Sequence, residues 1–162
     1  MIKFVSGDIL KSKCDAIVHG VSPNDDFKRG LAFSIRENWP ALYKDFRHYT
    51  QTSHPKTGTL WTWNGNGFRV VNLFTQEGSE GHQAVHGGKA TLTHVSHCLK
   101  ALRKEIETQG FKSIALPRLS TGVGGLEWEN VEPLIKEHLG NLPIPVVIYE
   151  KYVSGTAAVE GV

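Results

Sequence analysis

Short apolar runs alternate along this chain with longer segments whose apolar residues recur at helical spacing. A short run with few charges is typical of a strand that is buried on both faces of a sheet. Residues 64–67 separate two such runs, and their Asn-Gly pairs favour a hairpin, which places one of the two strands at a sheet edge. Six strands are therefore predicted, at residues 2–5, 15–19, 60–63, 68–74, 114–119 and 145–149.

The helical stripes lie between the predicted strands. The clearest one contains Leu92, Val95, Leu99 and Leu102, and Gly110 supplies the left-handed residue that closes such a helix. Strands that alternate with helices predict an α/β fold with a mostly parallel sheet, covered by helices on both faces. Further helices are predicted at about residues 31–39, 40–50 and 128–139.

Polar and glycine-rich loops follow the predicted strands at their carboxyl ends. In a parallel sheet these ends share one edge, and ligands bind in the crevice outside that edge. Such loops include Asp8 and residues 19–29, 75–88 and 118–125. We therefore expect these four segments to converge on one cleft.

The loop after the fifth predicted strand is the strongest candidate for ligand binding. Residues 118–126 are rich in glycine and hydroxyl side chains, and a helix is predicted to begin directly afterwards at Trp128. Small side chains let backbone N–H groups turn toward one centre, and the helix N-terminus adds a positive dipole. A phosphate or diphosphate fits such a loop, although glycines after a strand also occur in plain tight turns.

Two side chains at strand ends have both a structural and a chemical interpretation. Asp8 could accept a hydrogen bond from a nucleobase amine, or it could cap the helical turn that begins at Ile9. His19 could be a hydrogen-bonded structural residue, or the imidazole that acts on a ligand in the cleft. In the simplest interpretation Asp25 and Asp26 form a solvated turn.

Lys89 stands immediately before the clearest predicted helix and next to two glycines. A positive charge at that end opposes the helix dipole, which is a small reason to suspect a ligand there. A deprotonated lysine amine beside an anion site can attack the anomeric carbon of a sugar. The alternative is an ordinary surface lysine.

Composition narrows the class of protein. The 162 residues are 40% hydrophobic, which suits one compact domain, placed here at residues 1–152 with a flexible tail at 153–162. The net charge of +2 requires neither a nucleic acid nor a membrane as partner and does not repel a polyphosphate. Cys14 and Cys98 are too few for a disulfide framework, and no apolar stretch approaches the ~20 residues of a membrane span. We expect a soluble cytoplasmic monomer.

A cluster of histidines raises the question of a metal. His82, His86, His94 and His97 lie near Cys98, but no CxxC or HExxH motif accompanies them. His94 and His97 are expected on the solvent side of the predicted helix. We therefore expect no metal and no cofactor.

Five segments of the chain resemble, in the same order, the motifs of a macrodomain. The similarity extends from Met1 to about Tyr149 and is strongest toward one branch of that family. The branch includes terminal ADP-ribose protein glycohydrolase, the DNA-deribosylating antitoxin macrodomains and the ADP-ribose 1''-phosphate phosphatases. The resemblance implies a three-layer α/β/α fold that has a mixed, mostly parallel central sheet and binds ADP-ribose. The segments are residues 7–9, 15–20, 30–32, 71–75 and 117–128.

The resemblance also implies roles for individual residues. Asp8 and Ile9 would hold the adenine, residues 120–126 would hold the diphosphate, and His19 would lie near the distal ribose together with Ser22. The full implied set of ligand-binding residues is Asp8, Ile9, Ser22, Gly30, Leu31, Ala32, Thr75, Arg118, Ser120, Thr121, Gly122, Val123, Gly124, Gly125 and Leu126.

Departures from the family pattern bear on the reaction. His19 and Ser22 replace the asparagines that many hydrolytic members carry after the second strand, as in the phosphatase-like relatives. Lys89 matches the lysine that glycohydrolase-like members use against the anomeric carbon. The acidic residue of the protein-directed members falls at Gly124, which argues against hydrolysis of glutamate-linked ADP-ribose. Residues 27–30 carry two basic side chains, which favours a phosphorylated substrate.

The sequence thus predicts an enzyme that hydrolyses a group from C1'' of ADP-ribose. One version is an ADP-ribosyl hydrolase that acts on nucleic acid or protein, with Lys89 at C1''. The alternative is an ADP-ribose 1''-phosphate phosphatase, with His19 as acid, base or nucleophile and Asp25 or Asp26 as a carboxylate. In the phosphatase, residues 28–29 would counter the phosphate charge. A third hypothesis is a module that binds ADP-ribose without catalysis.

Overall fold

A six-stranded sheet forms the centre of the computed structural model, which describes residues 1–78, 89–122 and 124–162. The strands are β1 (Ile2–Gly7), β2 (Ala16–Val21), β3 (Leu60–Asn64), β4 (Arg69–Phe74), β5 (Ile114–Pro117) and β6 (Val146–Tyr152). Their order across the sheet is β1-β6-β5-β2-β4-β3. Every neighbouring pair is parallel except β3 and β4, so the sheet is mixed and mostly parallel, as predicted.

Helices cover the sheet, and the local sequence explains their ends. They are α1 (Gly30–Asn38), α2 (Pro40–Ser53), α3 (Leu92–Gln109) and α4 (Trp128–Leu139). Pro40 occupies the first turn of α2, where a missing N–H leaves no bond unmade. The Thr91 side chain accepts from the His94 N–H at the start of α3, and Gly110 at φ 69° ends that helix. In the described part of the chain no helix is long and apolar enough to span a membrane.

The sheet is buried on both faces. On β4, Val71 and Leu73 pack in the cluster formed with α3 and α4, while Val70 and Phe74 pack with α1 and α2. This alternation follows from the two-residue period of a strand. The predicted three-layer α/β/α fold is therefore confirmed.

Strand boundaries differ modestly from the predicted ones. The hairpin between β3 and β4 forms as expected, with β3 at the edge and the Gly65 N–H donating to the Phe68 carbonyl over 2.9 Å. β5 ends at Pro117, two residues before the end of the apolar run. β6 continues beyond residue 149, because Lys151 and Tyr152 pair with the end of β1 although they follow the apolar run.

Residues 153–162, which follow β6 and are called the strap below, pack back against the fold. The Val153 N–H donates to the Gly7 carbonyl over 2.9 Å, and the Asp8 N–H donates to the Thr156 carbonyl over 2.7 Å. Glu160 within the strap is only 7% exposed. The structure therefore differs from the expectation of a frayed tail. Backbone hydrogen bonds and one buried carboxylate hold the segment, and composition alone does not reveal them.

Candidate functional site

Two adjoining cavities lie at the carboxyl edge of the parallel strands. The polar cavity has a volume of about 160 Å³, and the apolar cavity has a volume of about 370 Å³. Gly30, Leu31 and Pro117 line both, so the two cavities meet along the start of α1 and the end of β5. Residues within 19–29, 75–78 and 118–125 meet at the polar cavity, as expected, whereas Asp8 lines neither cavity. Residues 79–88 of the third expected segment lie outside the described residues.

The apolar cavity is walled by side chains that suit a flat ring. Ile9, Leu31 and Tyr149 line it together with Tyr152, which is 51% exposed at the cavity mouth. Its position beside the turn after β1 is where the resemblance would put adenine. Aromatic and aliphatic walls of this kind gain free energy by removing the faces of an apolar ring from water.

Asp8 directly precedes Ile9, which lines the apolar cavity, and is 6% exposed. Its Oδ1 accepts from the Leu10 N–H over 3.0 Å, so the capping interpretation is confirmed. Its Oδ2 accepts from the Gly155 N–H of the strap over 2.9 Å. A carboxylate offers about four acceptor positions, so two bonds leave capacity for a ligand donor.

His19 lies on the floor of the polar cavity and is 2% exposed. Its Nε2 is 2.6 Å from Asn72 Oδ1. The Asn72 amide donates to the carbonyls of Trp61 and Val70, so its oxygen faces His19 and must accept. Nε2 therefore carries the proton, and Nδ1 is the acceptor that remains for a ligand.

The charge state of His19 follows from its surroundings. Burial lowers the pKa of the imidazole to about 4, and the hydrogen bond with Asn72 only partly offsets that effect. The ring is therefore neutral at pH 7. A neutral acceptor can orient a water molecule or a hydroxyl group, but it has no proton to donate from Nδ1.

The loop between β2 and α1 brings both predicted carboxylates to the polar cavity. Asp25 and Asp26 line it together with Arg29. Burial raises the pKa of the Asp25 carboxyl, although the N–H groups of Phe27 and Ser22 donate to it. Asp25 therefore shapes the turn as well as facing the cavity.

Phe27 fixes the shape of that loop. The residue has a positive φ of 54° and is fully buried. Its ring meets the His19 ring edge-on at 5.6 Å between centroids. A left-handed conformation is unfavourable for a bulky residue, so the buried side chain is what holds the turn in place. Ser22 in the same loop is also fully buried. It is not among the described residues that line either cavity.

Residues 118–126 are called the glycine loop below, and its described residues, 118–122 and 124–126, fold tightly on themselves. The Leu126 N–H donates to the Ser120 carbonyl over 3.0 Å, and the Gly125 N–H donates to the Gly122 carbonyl over 3.1 Å. A β-carbon on Gly124 would lie 2.6 Å from the Ser120 carbonyl oxygen, so only glycine fits there. Ser120 itself has a φ of 62°. The geometry leaves Ser120, Gly122 and Gly124 on the cavity wall.

Two hydroxyl groups lie close together next to Gly20. A β-carbon on Gly20 would be 2.6 Å from Thr75 Oγ1 and 3.3 Å from Ser120 Oγ. Both oxygens are buried, and neither has a hydrogen-bond partner within the ranges that the structure describes. Because buried hydroxyls are almost always paired, these two are candidates to bind oxygen atoms of a ligand.

Lys89 is the residue that the resemblance implies acts on C1''. The residue is exposed, and a β-carbon on Gly125 would come within 3.9 Å of its Cδ. It therefore lies alongside the glycine loop, and among the described residues it is not one that lines the polar cavity. The buried Gln76, bridged to Ala90, lines that cavity instead.

The structure brings most of the predicted residues together. Those that line one of the two cavities are Ile9, His19, Asp25, Asp26, Gly30, Leu31, Ala32, Arg118, Ser120, Gly122 and Gly124. Those described residues that line neither are Asp8, Ser22, Thr75, Lys89, Thr121, Gly125 and Leu126. Val123 lies outside the described residues. Gln76, Pro117 and Tyr152 also line the cavities although the sequence analysis assigned none of them to the ligand, and each lies at or just after a strand end.

Among the described residues, no group of three or more His, Cys, Asp or Glu side chains is arranged so that it could hold a metal ion. His82 and His86 lie outside those residues. His97 is exposed, as expected, and His94 is partly buried, with its Nε2 3.9 Å from Glu77 Oε1.

Several proteins of known activity are similar to this chain in sequence. "DNA ADP-ribosyl glycohydrolase" of Mycobacterium tuberculosis is 25% identical over 167 residues, covering 100% of this chain and 45% of that protein. Human "ADP-ribose glycohydrolase OARD1" is 23% identical over 149 residues, covering 91% of this chain and 90% of its own length. "ADP-ribose 1''-phosphate phosphatase" of Candida albicans is 20% identical over 145 residues, covering 85% of this chain and 93% of that protein. The chain spans less than half the length of the DNA-directed relatives it matches.

Solved structures show the same fold. The macrodomain of Thermus aquaticus DarG superposes with a TM-score of 0.79 at 24% identity, covering 93% of this chain and 98% of that one. Thermosipho africanus DarTG, solved in complex with ADP-ribose, has a TM-score of 0.78 at 21% identity, covering 96% of this chain and 42% of that one. The family model described as Macro domain matches residues 18–135. This chain therefore belongs to the macrodomain family.

Proposed function

We propose that this chain binds ADP-ribose across the two cavities and hydrolyses a bond at C1'' of the distal ribose. The observation that carries the proposal is the direct junction of a ring-sized apolar cavity with a polar cavity along Gly30, Leu31 and Pro117. ADP-ribose has the matching sequence of parts, which are a flat base, a diphosphate and a polar sugar.

The proposed pose assigns one function to each wall. The base lies between the apolar side chains near Ile9 and Tyr152, and the diphosphate lies against the glycine loop. The distal ribose then reaches the floor, where His19 Nδ1 can accept a hydrogen bond. The hydroxyls of Thr75 and Ser120, which have no partner among the described residues, lie close to Gly20 of the polar cavity and can bind ligand oxygens.

Hydrolysis at C1'' requires an attacking water and a departing group. The water oxygen forms a bond to C1'', the bond from C1'' to the leaving group breaks with its electron pair going to that group, and one water proton must be accepted. His19 Nδ1 is suited to orient the water because it is a neutral acceptor at pH 7. The carboxylates of Asp25 and Asp26 face the same cavity and can receive the proton.

In the first version of the reaction, the leaving group is a nucleic acid or a protein. The support comes from relatives named DNA ADP-ribosyl glycohydrolase and ADP-ribose glycohydrolase OARD1. Lys89 is not among the described residues that line the polar cavity, so the lining gives no support for an attack by its amine on C1''. This version therefore relies on His19 and the acidic loop for the reaction.

In the second version, the leaving group is a phosphate on C1''. A specific observation favours it, because Arg29 lines the same polar cavity as the buried His19, and guanidinium groups are well suited to phosphate. The resemblance to an ADP-ribose 1''-phosphate phosphatase points the same way. Lys28 is exposed and is not among the described residues that line the polar cavity.

The test compares three substrates with one enzyme preparation. Wild-type protein is incubated with an ADP-ribosylated oligonucleotide, an ADP-ribosylated protein and ADP-ribose 1''-phosphate, and released ADP-ribose and phosphate are quantified. His19→Gln is expected to lower the turnover of the true substrate at least tenfold, while circular dichroism verifies that the variant is folded. Turnover of ADP-ribose 1''-phosphate alone, with phosphate and ADP-ribose released in equal amounts, selects the second version.

Lys89→Ala separates the lysine route from the histidine route. The exposed Lys100 of α3 provides the matched control, as Lys100→Ala. Equal turnover by both variants and by the wild type is expected if the amine does not act on C1''. A loss confined to Lys89→Ala would contradict this. Tight ADP-ribose binding without turnover of any of the three substrates would overturn the enzymatic proposal and leave a binding module.

We further propose that the protein acts as a cytoplasmic monomer. Its two cysteines, Cys14 and Cys98, are both free and buried, which fits a reducing compartment. Light scattering coupled to size exclusion should give the mass of one 17.9 kDa chain. A dimer mass that persists on dilution would contradict the monomer.

A further inference from the structure

The strap forms a second layer of contacts behind the apolar cavity. It crosses the turn between β1 and β2, and its backbone makes two hydrogen bonds with one residue of that turn. The Gly155 N–H donates to Asp8 Oδ2 over 2.9 Å, and the Thr156 carbonyl accepts from the Asp8 N–H over 2.7 Å. Asp8 is therefore held on its backbone and on its side chain by the same short segment.

Glu160 anchors the far end of the strap. Its carboxylate accepts from the Ser12 hydroxyl over 2.5 Å, from the Lys13 N–H over 2.8 Å and from the Tyr149 hydroxyl over 2.8 Å. The Cys14 thiol lies 3.4 Å from the same carboxylate. A carboxylate that is 7% exposed and accepts this many bonds has a fixed position, because any other orientation would leave buried donors unpaired.

The anchored strap supports the apolar cavity at two points. The Tyr149 ring lines that cavity while its hydroxyl is bound by Glu160. Ala158 of the strap packs against the cluster that contains Ile9 and Tyr149. The strap therefore contacts the wall of the cavity through side chains and the capping carboxylate of Asp8 through its backbone.

We propose that Glu160 is a positioning residue for the purine end of the ligand, acting through the strap to fix the Asp8 carboxylate and the Tyr149 wall. The inference rests on the proposed binding of ADP-ribose. Two backbone N–H groups, those of Leu10 and Gly155, set the plane of the carboxylate. A carboxylate fixed in this way accepts from a purine amine and repels a purine carbonyl, so it selects adenine over hypoxanthine.

The experiment measures that selection directly. Titration calorimetry is performed with ADP-ribose and with its hypoxanthine counterpart, inosine diphosphate ribose. The wild type is expected to prefer ADP-ribose by about tenfold, as one hydrogen bond to a charged group would give. Glu160→Ala is expected to bring the ratio close to one, and Glu160→Gln, which keeps an acceptor for the Lys13 N–H, is expected to restore part of it.

A double-mutant cycle tests whether Glu160 acts through Asp8. Asp8→Ala should abolish the preference on its own, and adding Glu160→Ala should then change the ratio no further. Glu137→Gln, an exposed carboxylate on α4, is the matched control and should keep the wild-type ratio. Ser12→Ala removes one donor to Glu160 and provides a milder variant if Glu160→Ala does not fold.

Amide hydrogen exchange gives a readout that needs no ligand. In Glu160→Ala the N–H groups of Asp8 and Gly155 are expected to exchange faster, while those of β5 keep their protection. Unchanged protection at both positions would overturn the anchoring function of Glu160.

The possible results distinguish this inference from the proposed function. If the wild type binds ADP-ribose and Glu160→Ala keeps the preference for ADP-ribose over inosine diphosphate ribose, the positioning function of Glu160 is wrong and the proposed function stands. Equal affinity of the wild type for both nucleotides leads to the same conclusion, since Asp8 would then not contact the purine amine. A folded wild type that binds neither nucleotide overturns the proposed function, and the inference falls with it.

Discussion

The buried imidazole of His19 determines how the site responds to pH. Its pKa is lowered to about 4 by burial, whereas an unfolded histidine titrates near 6.5. Between these values the unfolded chain binds a proton that the folded chain does not bind. The neutral ring therefore favours folding fully above about pH 6.5, and that contribution is lost as the pH falls toward 4.

This difference predicts a specific loss of stability in acid. The free energy of unfolding should fall by up to about 1.4 kcal/mol per pH unit between pH 6.5 and 4 through His19 alone. Urea unfolding of the wild type and of His19→Gln across this range measures it, with the exposed His97→Gln as control. Parallel pH curves for the wild type and His19→Gln would show that the ring is not buried as described.

A second prediction concerns two glycines in one loop. A β-carbon on Gly124 would meet the Ser120 carbonyl at 2.6 Å, whereas a β-carbon on Gly122 would meet nothing within 4 Å. Gly124→Ala should therefore cost about 1–3 kcal/mol, because backbone must move, and Gly122→Ala should stay within about 1 kcal/mol of the wild type. The urea unfolding midpoints of the two variants and the wild type measure this difference. Equal midpoints for Gly124→Ala and Gly122→Ala would contradict the packing of this loop.

At the scale of elements, local signals predicted some parts of the structure well and long-range contacts decided others. The apolar stripe of α3 and its cap at Gly110 depend on neighbouring residues, so the sequence was sufficient there. The strap depends on hydrogen bonds between Glu160 and two partners, Ser12 near the other end of the chain and Tyr149 in β6. Composition does not reveal these contacts and indicated only a polar tail. Likewise the direction of His19 depends on strand register, which no single residue encodes.

The residues around the cleft show the same limit. The glycine loop and the acidic turn after β2 were found because each is a local pattern that follows a strand. Gln76 and Lys89 both follow the same strand end, and only the folded chain shows that Gln76 lines the cavity while Lys89 lies outside it. A polar residue near a strand end is therefore a candidate, and its side chain direction needs tertiary structure.

The strap gives a prediction that belongs to this scale. Burial raises the pKa of the Glu160 carboxyl, but the hydrogen bonds from Ser12, the Lys13 N–H and Tyr149 outweigh it, so the pKa is lowered overall from 4.5. The anchor therefore stabilises the fold above about pH 4.5 and is lost as the pH falls through the lower folded value. The melting temperatures of the wild type and Glu160→Gln should converge in acid, and a gap that stays constant would contradict this.

At the scale of the whole molecule, the two cavities are joined by the start of α1 and the end of β5. A ligand that fills both cavities touches residues from most of the parallel strands. A shorter ligand touches the residues of one cavity only. Binding to the folded state alone raises stability in proportion to the logarithm of ligand concentration over Kd. The gain in melting temperature should therefore depend on how much of the site a compound fills.

Three ligands at equal concentration should therefore raise the melting temperature by different amounts. ADP-ribose should give the largest increase, about 5–10 °C when its concentration is 100 times Kd, because about 2.7 kcal/mol is gained in a domain of this size. AMP, which lacks the distal ribose, should give less, and ribose 5-phosphate less again, since it has no base for the apolar cavity. Thermal shift measurements test the order. Equal shifts for ADP-ribose and AMP would mean that the polar cavity adds nothing to binding, and the acidic loop, His19 and Arg29 would then lose their proposed contact with the distal ribose.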